Sequence, residues 1–142
     1  MRGALFDSSI YITGMRLGDD TILALRRLTG DGHLWLSAVV LEELYAGAWG
    51  RARQAVERLE RDFERANRIL VPNLNDWTQT GRVLAQVATK YHYEKTGLGR
   101  LTNDALIAMS AARLGVTVVT ANKRDFGRLA EIRAFHWVLT TF

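Results

Sequence analysis

Cysteine is absent from this chain, and proline occurs only once, at Pro72. Without cysteine there are no disulfides and no thiolate zinc sites, and nothing marks an oxidising compartment. No apolar run is long enough to cross a bilayer, and the stretch from Met1 to the acid Asp7 is too short for a signal peptide. The expectation is a soluble, cytoplasmic protein with no membrane partner. Linkers, low-complexity tracts and internal repeats are missing as well. What is present suffices for one domain over residues 1–142, because 48% of them are hydrophobic and can fill a real core. Lysine plus arginine number 19 against 15 acids, a net charge of +4 with a pI near 9.8, which modestly favours a polyanionic partner.

Strands and helices alternate along the chain. Residues 3–6 read as a short apolar strand, 21–28 as a helix, and 34–38 as a second strand entered through the turn Gly30-Asp31-Gly32. Ser37 or a neighbour then caps a helix over 39–49. Ala52, Ala55, Val56, Leu59, Phe63 and Ala66 recur at three- and four-residue steps, which predicts an amphipathic helix over 51–67 with a charged outer face. Residues 68–71 form a brief strand ended by Pro72, and Trp77, Val83, Leu84, Val87, Ala88 and Tyr91 outline a long helix starting near Asn75 or Asp76. Gly97-Leu98-Gly99 lacks the third glycine of a dinucleotide fingerprint and follows no strand directly, so residues 96–99 read as a flexible loop on the substrate side. Thr102 is a cap candidate for a buried helix over 105–112, with Asp104 in its first turn. Gly115 stops that helix, 116–119 is a strand without alternation, and a helix near 126–132 and a strand over 136–139 follow. Short unalternating strands between helices indicate a parallel sheet covered on both faces. The predicted fold is α/β, a three-layer α/β/α sandwich around a parallel sheet of four or five strands.

Four acids sit where a structural reason for them is hard to find: Asp7 after the first strand, Glu43 in an apolar helix, Asp104 at the start of a buried one, and Asp125 after residues 116–119. Two carboxylates about 5 Å apart repel by roughly 3 kcal/mol at an effective dielectric near 20. Gathering them therefore destabilises a fold unless a divalent cation offsets the charge. In open parallel sheets the crevice beyond the carboxyl ends of the strands collects such loops and helix ends. Glu42 and Glu43 lie at opposite borders of the apolar face set by Val40, Leu41, Leu44, Tyr45 and Ala48, so periodicity leaves both open. Gly47, one turn beyond Glu43, leaves room beside it. Paired imidazoles are the competing chemistry, but His33, His92 and His136 share neither spacing nor partner. Trp35, Trp49, Trp77 and Trp137 read as core or interface groups, and Tyr91 and Tyr93 as helix packing before base stacking.

Phe6-Asp7-Ser8-Ser9, then the run from Ser37 to Gly47 containing Glu43-Leu44-Tyr45-Ala46-Gly47, then Asp104-Ala105-Leu106-Ile107-Ala108, then Val119-Thr120-Ala121-Asn122-Lys123-Arg124-Asp125-Phe126 resemble in this order the PIN-domain nucleases. The chain is most similar to those that act as toxins in bacterial VapBC toxin-antitoxin pairs, and the match spans nearly its whole length. The resemblance implies a PIN-like fold, an endoribonuclease dependent on Mg²⁺, with Mn²⁺ able to occupy the same oxygen-rich site, a VapB-type antitoxin, a homodimer and an RNA substrate. It assigns the family's acids to Asp7, Glu43 and Asp104, choosing Glu43 over Glu42. Where many members carry an acid two residues after the last motif's threonine, this chain has Asn122; the fourth ligand is then Asp125, or Asn122 through water, or is missing.

On this reading Asp7 and Asp104 hold a primary ion, Glu43 orients or deprotonates a water, and Asp125 or Asn122 supports a second ion near the leaving oxygen. Ser8, Ser9 and Thr120 fix the carboxylates, and Lys95, Arg100, Lys123, Arg124 and Arg128 flank them as phosphate contacts. Apolar faces over 41–49 and 51–67 offer surfaces for the homodimer. Two alternatives stand beside the toxin: a PIN nuclease of RNA processing without an antitoxin, and a signalling domain that binds Mg²⁺ or phosphate without cutting.

Overall fold

Short runs of valine, leucine and threonine form the strands: β1 (Ala4–Phe6), β2 (Leu34–Ser37), β3 (Ile69–Leu70), β4 (Thr117–Thr120) and β5 (Trp137–Leu139). The computed structural model describes residues 3–17, 33–92 and 95–140. All strand pairs are parallel, in the order β3-β2-β1-β4-β5, with Ala4 opposite Leu34 on one side and Thr117 on the other. β1 and its neighbours are buried because every connection is a helical crossover that covers a face of the sheet. The chain winds outward from β1 through β2 to β3, then returns to β4 and β5 on the other side. The strand order therefore reverses between β1 and β4, where a crevice opens at the carboxyl ends. Five strands realise the upper of the two expected counts.

The described helices are α1 (Ser8–Leu17), α2 (Ala38–Gly47), α3 (Arg51–Arg65), α4 (Leu74–Tyr91), α5 (Lys95–Leu114) and α6 (Lys123–Ile132). α1 packs on α2 and α2 on α3, while α4, α5 and α6 pack on one another. Ser37 caps α2, its Oγ accepting from the Val39 N–H at 3.1 Å. Asn73 caps α4 in a reciprocal box with Asp76, at 2.9 Å in both directions, and this moves the helix start ahead of the expected Asn75. Gly115, at φ 72°, ends α5 in a Schellman turn, with Val116 N–H on Ala111 O and Gly115 N–H on Ala112 O. Among the described residues no helix is long and apolar enough to cross a membrane.

Several expectations need correction. Ser8 and Ser9 offered a helix start, but no helix was assigned over α1, where Ile10, Ile12 and Thr13 are β-branched; the complete burial of Ile10 and Tyr11 offsets that cost. The helix expected over 21–28 and the turn Gly30-Asp31-Gly32 lie outside the described residues. α5 begins at Lys95, so residues 96–99 are helix and not a flexible loop. Two glycines cost a helix about 1 kcal/mol each, which the buried side chain of Leu101 and packing against α4 offset. Thr102 consequently caps nothing; its hydroxyl bonds back to Leu98 O at 3.1 Å. Much of the apolar face offered for dimerisation over 41–49 is spent inside the molecule, since Leu41, Leu44 and Ala48 are buried, while Ala46 and Trp49, the latter 79% exposed, remain outside. In α3, Val56 and Phe63 are likewise turned into the core.

Arg113 on α5 holds the start of α4 in place. Its Nε lies 3.1 and 3.0 Å from the two oxygens of Asp76, which is buried, and its Nη2 donates to Val71 O at 3.3 Å. Arg113→Met leaves that carboxylate without its cation. The expected cost is about 2–3 kcal/mol, below the full buried-pair figure because the arginine is partly exposed, and urea unfolding measures it. A loss under about 0.5 kcal/mol would show the pair to be structurally idle.

Candidate active site

β1 ends at Phe6, and the backbone of Asp7 is still held by the sheet, its N–H donating to Val119 O at 2.9 Å. The Asp7 side chain therefore emerges at the switch point between β1 and β4 but stays buried, 3% exposed. Four donors surround it. The Ser8 N–H reaches Oδ1 at 2.7 Å and the Ser8 hydroxyl at 3.5 Å, while the Ser9 and Thr120 hydroxyls each reach Oδ2 at 2.9 Å. Ser8 and Ser9 thus open α1 and fix a carboxylate at once.

Glu43 comes from α2 and Asp104 from α5. Glu43 Oε1 is buried and finds no hydrogen-bond partner, whereas Glu42 is exposed and receives the Asn103 amide at 3.1 Å. Burial raises the Glu43 carboxyl above its ordinary value, the charge of Asp7 adds to this, hydrogen bonding from Ser8 and Asn103 works against it, and Glu42 raises it further. Asp104 is pushed up to about 8, first by burial and then by the charges of Asp7, Glu43 and Asp125. Asp104 is therefore near enough to feel the other three expected acids, and Glu43 to feel Asp7, while burial and those charges are all unfavourable to the charge of Asp104. Its place is corrected too. Asp104 sits well inside α5, beyond the first turn, so the helix N-terminus does not stabilise it.

Asn122 ties the loop after β4 to these acids. Its N–H donates to Thr120 Oγ1 at 3.0 Å, and its Oδ1 accepts from the Asp125 N–H at 3.3 Å to cap α6. Its Nδ2 donates to Asp125 Oδ2 at 3.0 Å and to Asp104 Oδ2 at 3.5 Å. The amide thus turns a donor, not an oxygen, toward both carboxylates. Arg124 closes the outer side, with Nε 3.2 Å from Asp125 Oδ1. Among the described residues no group of three or more histidine, aspartate or glutamate side chains is placed to hold a metal ion together.

Two clefts flank the acids. A groove of about 420 Å³ is lined by Ile12, Met15, Arg16, Glu43, Leu44 and Gly47 among others, and a Cβ on Gly47 would meet nothing within 4 Å. Arg100 and Arg124 line a second pocket with Asp125, while Lys123 is exposed and does not line it. The Lys95 side chain and Tyr93 lie outside the described residues. Tyr91 bonds Glu131 through its hydroxyl and stacks under Arg128. Sequence reading missed Asn103 and the groove residues Ile12, Met15 and Arg16; Asn103 precedes Asp104 and was the one within sight.

The sequence matches the family model described as PIN domain over residues 4–132. No curated protein matches it. Among solved structures the chain is similar to the DNA-bound VapBC of Salmonella typhimurium, with 23% identity over 97% of this chain and 98% of that one, TM-score 0.71. It is also similar to VapBC2 of Rickettsia felis bound to a promoter DNA fragment (19% identity, 97% and 98% covered, TM-score 0.68) and to VapBC-1 of nontypeable Haemophilus influenzae (22%, 96% and 96%, TM-score 0.64). At such identities the likeness is one of fold. The family match runs from the first residue of β1 to the last of α6, and the chain belongs to the PIN-domain family.

Proposed function

We propose that this chain is a divalent-metal-dependent endoribonuclease and the toxin of a VapBC-type toxin-antitoxin pair. One observation carries the reading: four carboxylates converge at the switch point, and every influence resolved on Asp104 opposes its charge. Such an arrangement fits a cation, carboxylate oxygens being the hard donors suited to Mg²⁺ or Mn²⁺, and the buried Oε1 of Glu43, which has no hydrogen-bond partner, is left free to accept a proton. Three protein ligands are not required, because Mg²⁺ keeps much of its water and takes only one or two carboxylates directly. Family membership supports the nuclease, and the fold shared with VapBC proteins supports the toxin and a VapB-type antitoxin as partner.

Asp7 and Asp104 would hold the ion. When bound, it supplies Lewis acidity at the phosphate and a water acidic enough to attack at neutral pH. Ser8, Ser9 and Thr120 donate to Asp7 and hold its carboxyl in one orientation, so the group needs no reorganisation when substrate arrives. Glu43, whose raised affinity for protons suits a base, takes the proton from the attacking water at Oε1. Asn122 and Asp125 position the loop: with a donor turned to the acids, Asn122 is not the fourth ligand, and Asp125 is already engaged by Asn122 and Arg124.

Water as nucleophile leaves a 5′-phosphate and a 3′-hydroxyl. Mapping the ends of RNA cut by the purified chain tests this, together with suppression of cutting by EDTA; a 2′,3′-cyclic phosphate, or cutting that survives chelation, would sink the mechanism. The toxin role predicts growth arrest on expression, relieved by co-expressing a small neighbouring reading frame with a DNA-binding N-terminus and a basic, amphipathic C-terminus.

Gly47 gives a cheaper check on where RNA lies. Because a Cβ there points into open space, Gly47→Ala should melt at or slightly above the parent temperature, alanine being the better helix former by up to about 1 kcal/mol. Gly47→Leu should also fold but reach into the groove beside Glu43 and slow cleavage about tenfold or more, an effect of roughly 1.4 kcal/mol. Full activity in the leucine variant would place the substrate elsewhere.

A further inference from the structure

We propose that the pocket between α5 and α6 anchors a backbone phosphate of the RNA beside the one being cut, an inference that rests on the nuclease reading. The pocket has a volume of about 200 Å³ and is lined by Gly97, Arg100 and Leu101 from α5 and by Arg124, Asp125 and Arg128 from α6. Both sets recur at three- and four-residue steps, so each helix turns one stripe toward the other. Three guanidiniums and one carboxylate line it; that carboxylate is already engaged by Arg124 at 3.2 Å and by the Asn122 amide at 3.0 Å, and Arg128 also lies in the field of Glu131, which Lys90 pairs at 2.9 Å. The remaining field is positive.

Guanidinium is the group matched to phosphate, offering paired donors in a fixed plane. Arg128 is held in such a plane, its guanidinium carbon 4.3 Å from the centre of the Tyr91 ring. Gly97 lies in the first turn of the twenty-residue helix α5, where backbone N–H groups lack partners within the helix and a missing side chain lets an anion approach them. The space is smaller than the ~300–1,000 Å³ typical of sites for whole small molecules, so it suits a single group of a longer ligand. Its position assigns the ligand. Asp125 is one wall of the pocket, and the Asn122 amide that holds Asp125 also reaches Asp104, so the acid cluster begins where the pocket ends. A strand crossing the acids places its next phosphate there.

The test measures binding of a single-stranded oligoribonucleotide, followed by fluorescence anisotropy at several salt concentrations with Mg²⁺ present, to the full chain carrying Asp7→Asn so that it is not cut. Arg100→Gln and Arg128→Gln should each weaken binding about tenfold and reduce the slope of log K against log salt by about 0.7, the single-strand value for one phosphate contact. Arg128→Lys should keep the slope. Arg58→Gln, on the exposed face of α3, should change neither quantity. In the parent background Arg100→Gln should raise KM about tenfold with kcat within about twofold. Melting temperatures establish that each variant is folded. Unchanged affinity and slope in the Arg100 and Arg128 variants, or a loss confined to kcat, would overturn the phosphate site while leaving the nuclease intact. A parent that binds RNA through these arginines yet never cuts it would overturn the nuclease and leave the site; absence of RNA binding would overturn both.

Discussion

Asp7→Asn yields a folded chain that cuts RNA at least about a thousandfold more slowly, a loss of about 4 kcal/mol of transition-state stabilisation. The substitution is nearly isosteric. The Ser8 N–H can keep its 2.7 Å bond to the remaining oxygen, and the hydroxyls of Ser9 and Thr120 can rotate to accept from the new amide instead of donating. What is lost is the charge of a buried acid that four donors hold in place beside the proposed cation. What is gained is relief for Glu43 and Asp104, both of which the Asp7 charge now raises. Weakened charge-assisted hydrogen bonds at about 1 kcal/mol each and this relief act in opposite directions, so the metal-free variant should unfold within about 1 kcal/mol of the parent. Substrate decay and urea unfolding measured on the same preparation separate the two effects. Activity within tenfold of the parent, in a variant that folds, would remove Asp7 from the chemistry.

Stripped of metal by EDTA, the parent should grow steadily less stable as pH rises from about 4 to about 8. The Asp104 carboxyl is raised to about 8 from an ordinary 3.8, so between those values the folded chain keeps a proton that the unfolded chain has released. Stability must then fall with pH, by up to about 1.4 kcal/mol per unit, until Asp104 ionises in both states and the penalty is complete. Glu43, raised for similar causes, adds to the same slope. Asp104→Asn removes most of the dependence and should melt above the parent at pH 8 in EDTA, though it is expected to be inactive. Adding Mg²⁺ at pH 8 should lift the parent and leave the Asn variant almost unmoved. Melting curves at pH 5.5 and pH 8 decide the matter. A parent that is equally stable at both, or a variant that follows the parent's slope, would show that the four charges do not strain the fold.

The parallel sheet was legible because strands buried on both faces lose their alternation, and 116–119 and 34–38 do so plainly. Order of the acids along the chain was legible for the same reason: an acid directly after such a strand has few structural excuses. The choice between Glu42 and Glu43 was not, since both border the apolar stripe. It took the packing of α2 against α1 to bury one glutamate oxygen and expose the other residue. Asp104 entered the candidate site for a partly mistaken reason. Glycines at 97 and 99 looked like a loop because local propensity opposes a helix there, while the contacts that overrule it come from α4, distant in sequence. Asn122 was visible as a departure from an acidic position. That its oxygen is committed to capping α6, leaving only its nitrogen for the acids, is a matter of side-chain orientation that spacing does not record.

β1 is flanked by β2 and β4, and the Asp7 N–H is satisfied only by Val119. The first acid therefore waits for a neighbour more than a hundred residues later in the chain, so the place of Asp7 is fixed only once β4 has docked beside β1, and a chain cut short before β4 holds its first acid on an unpaired edge.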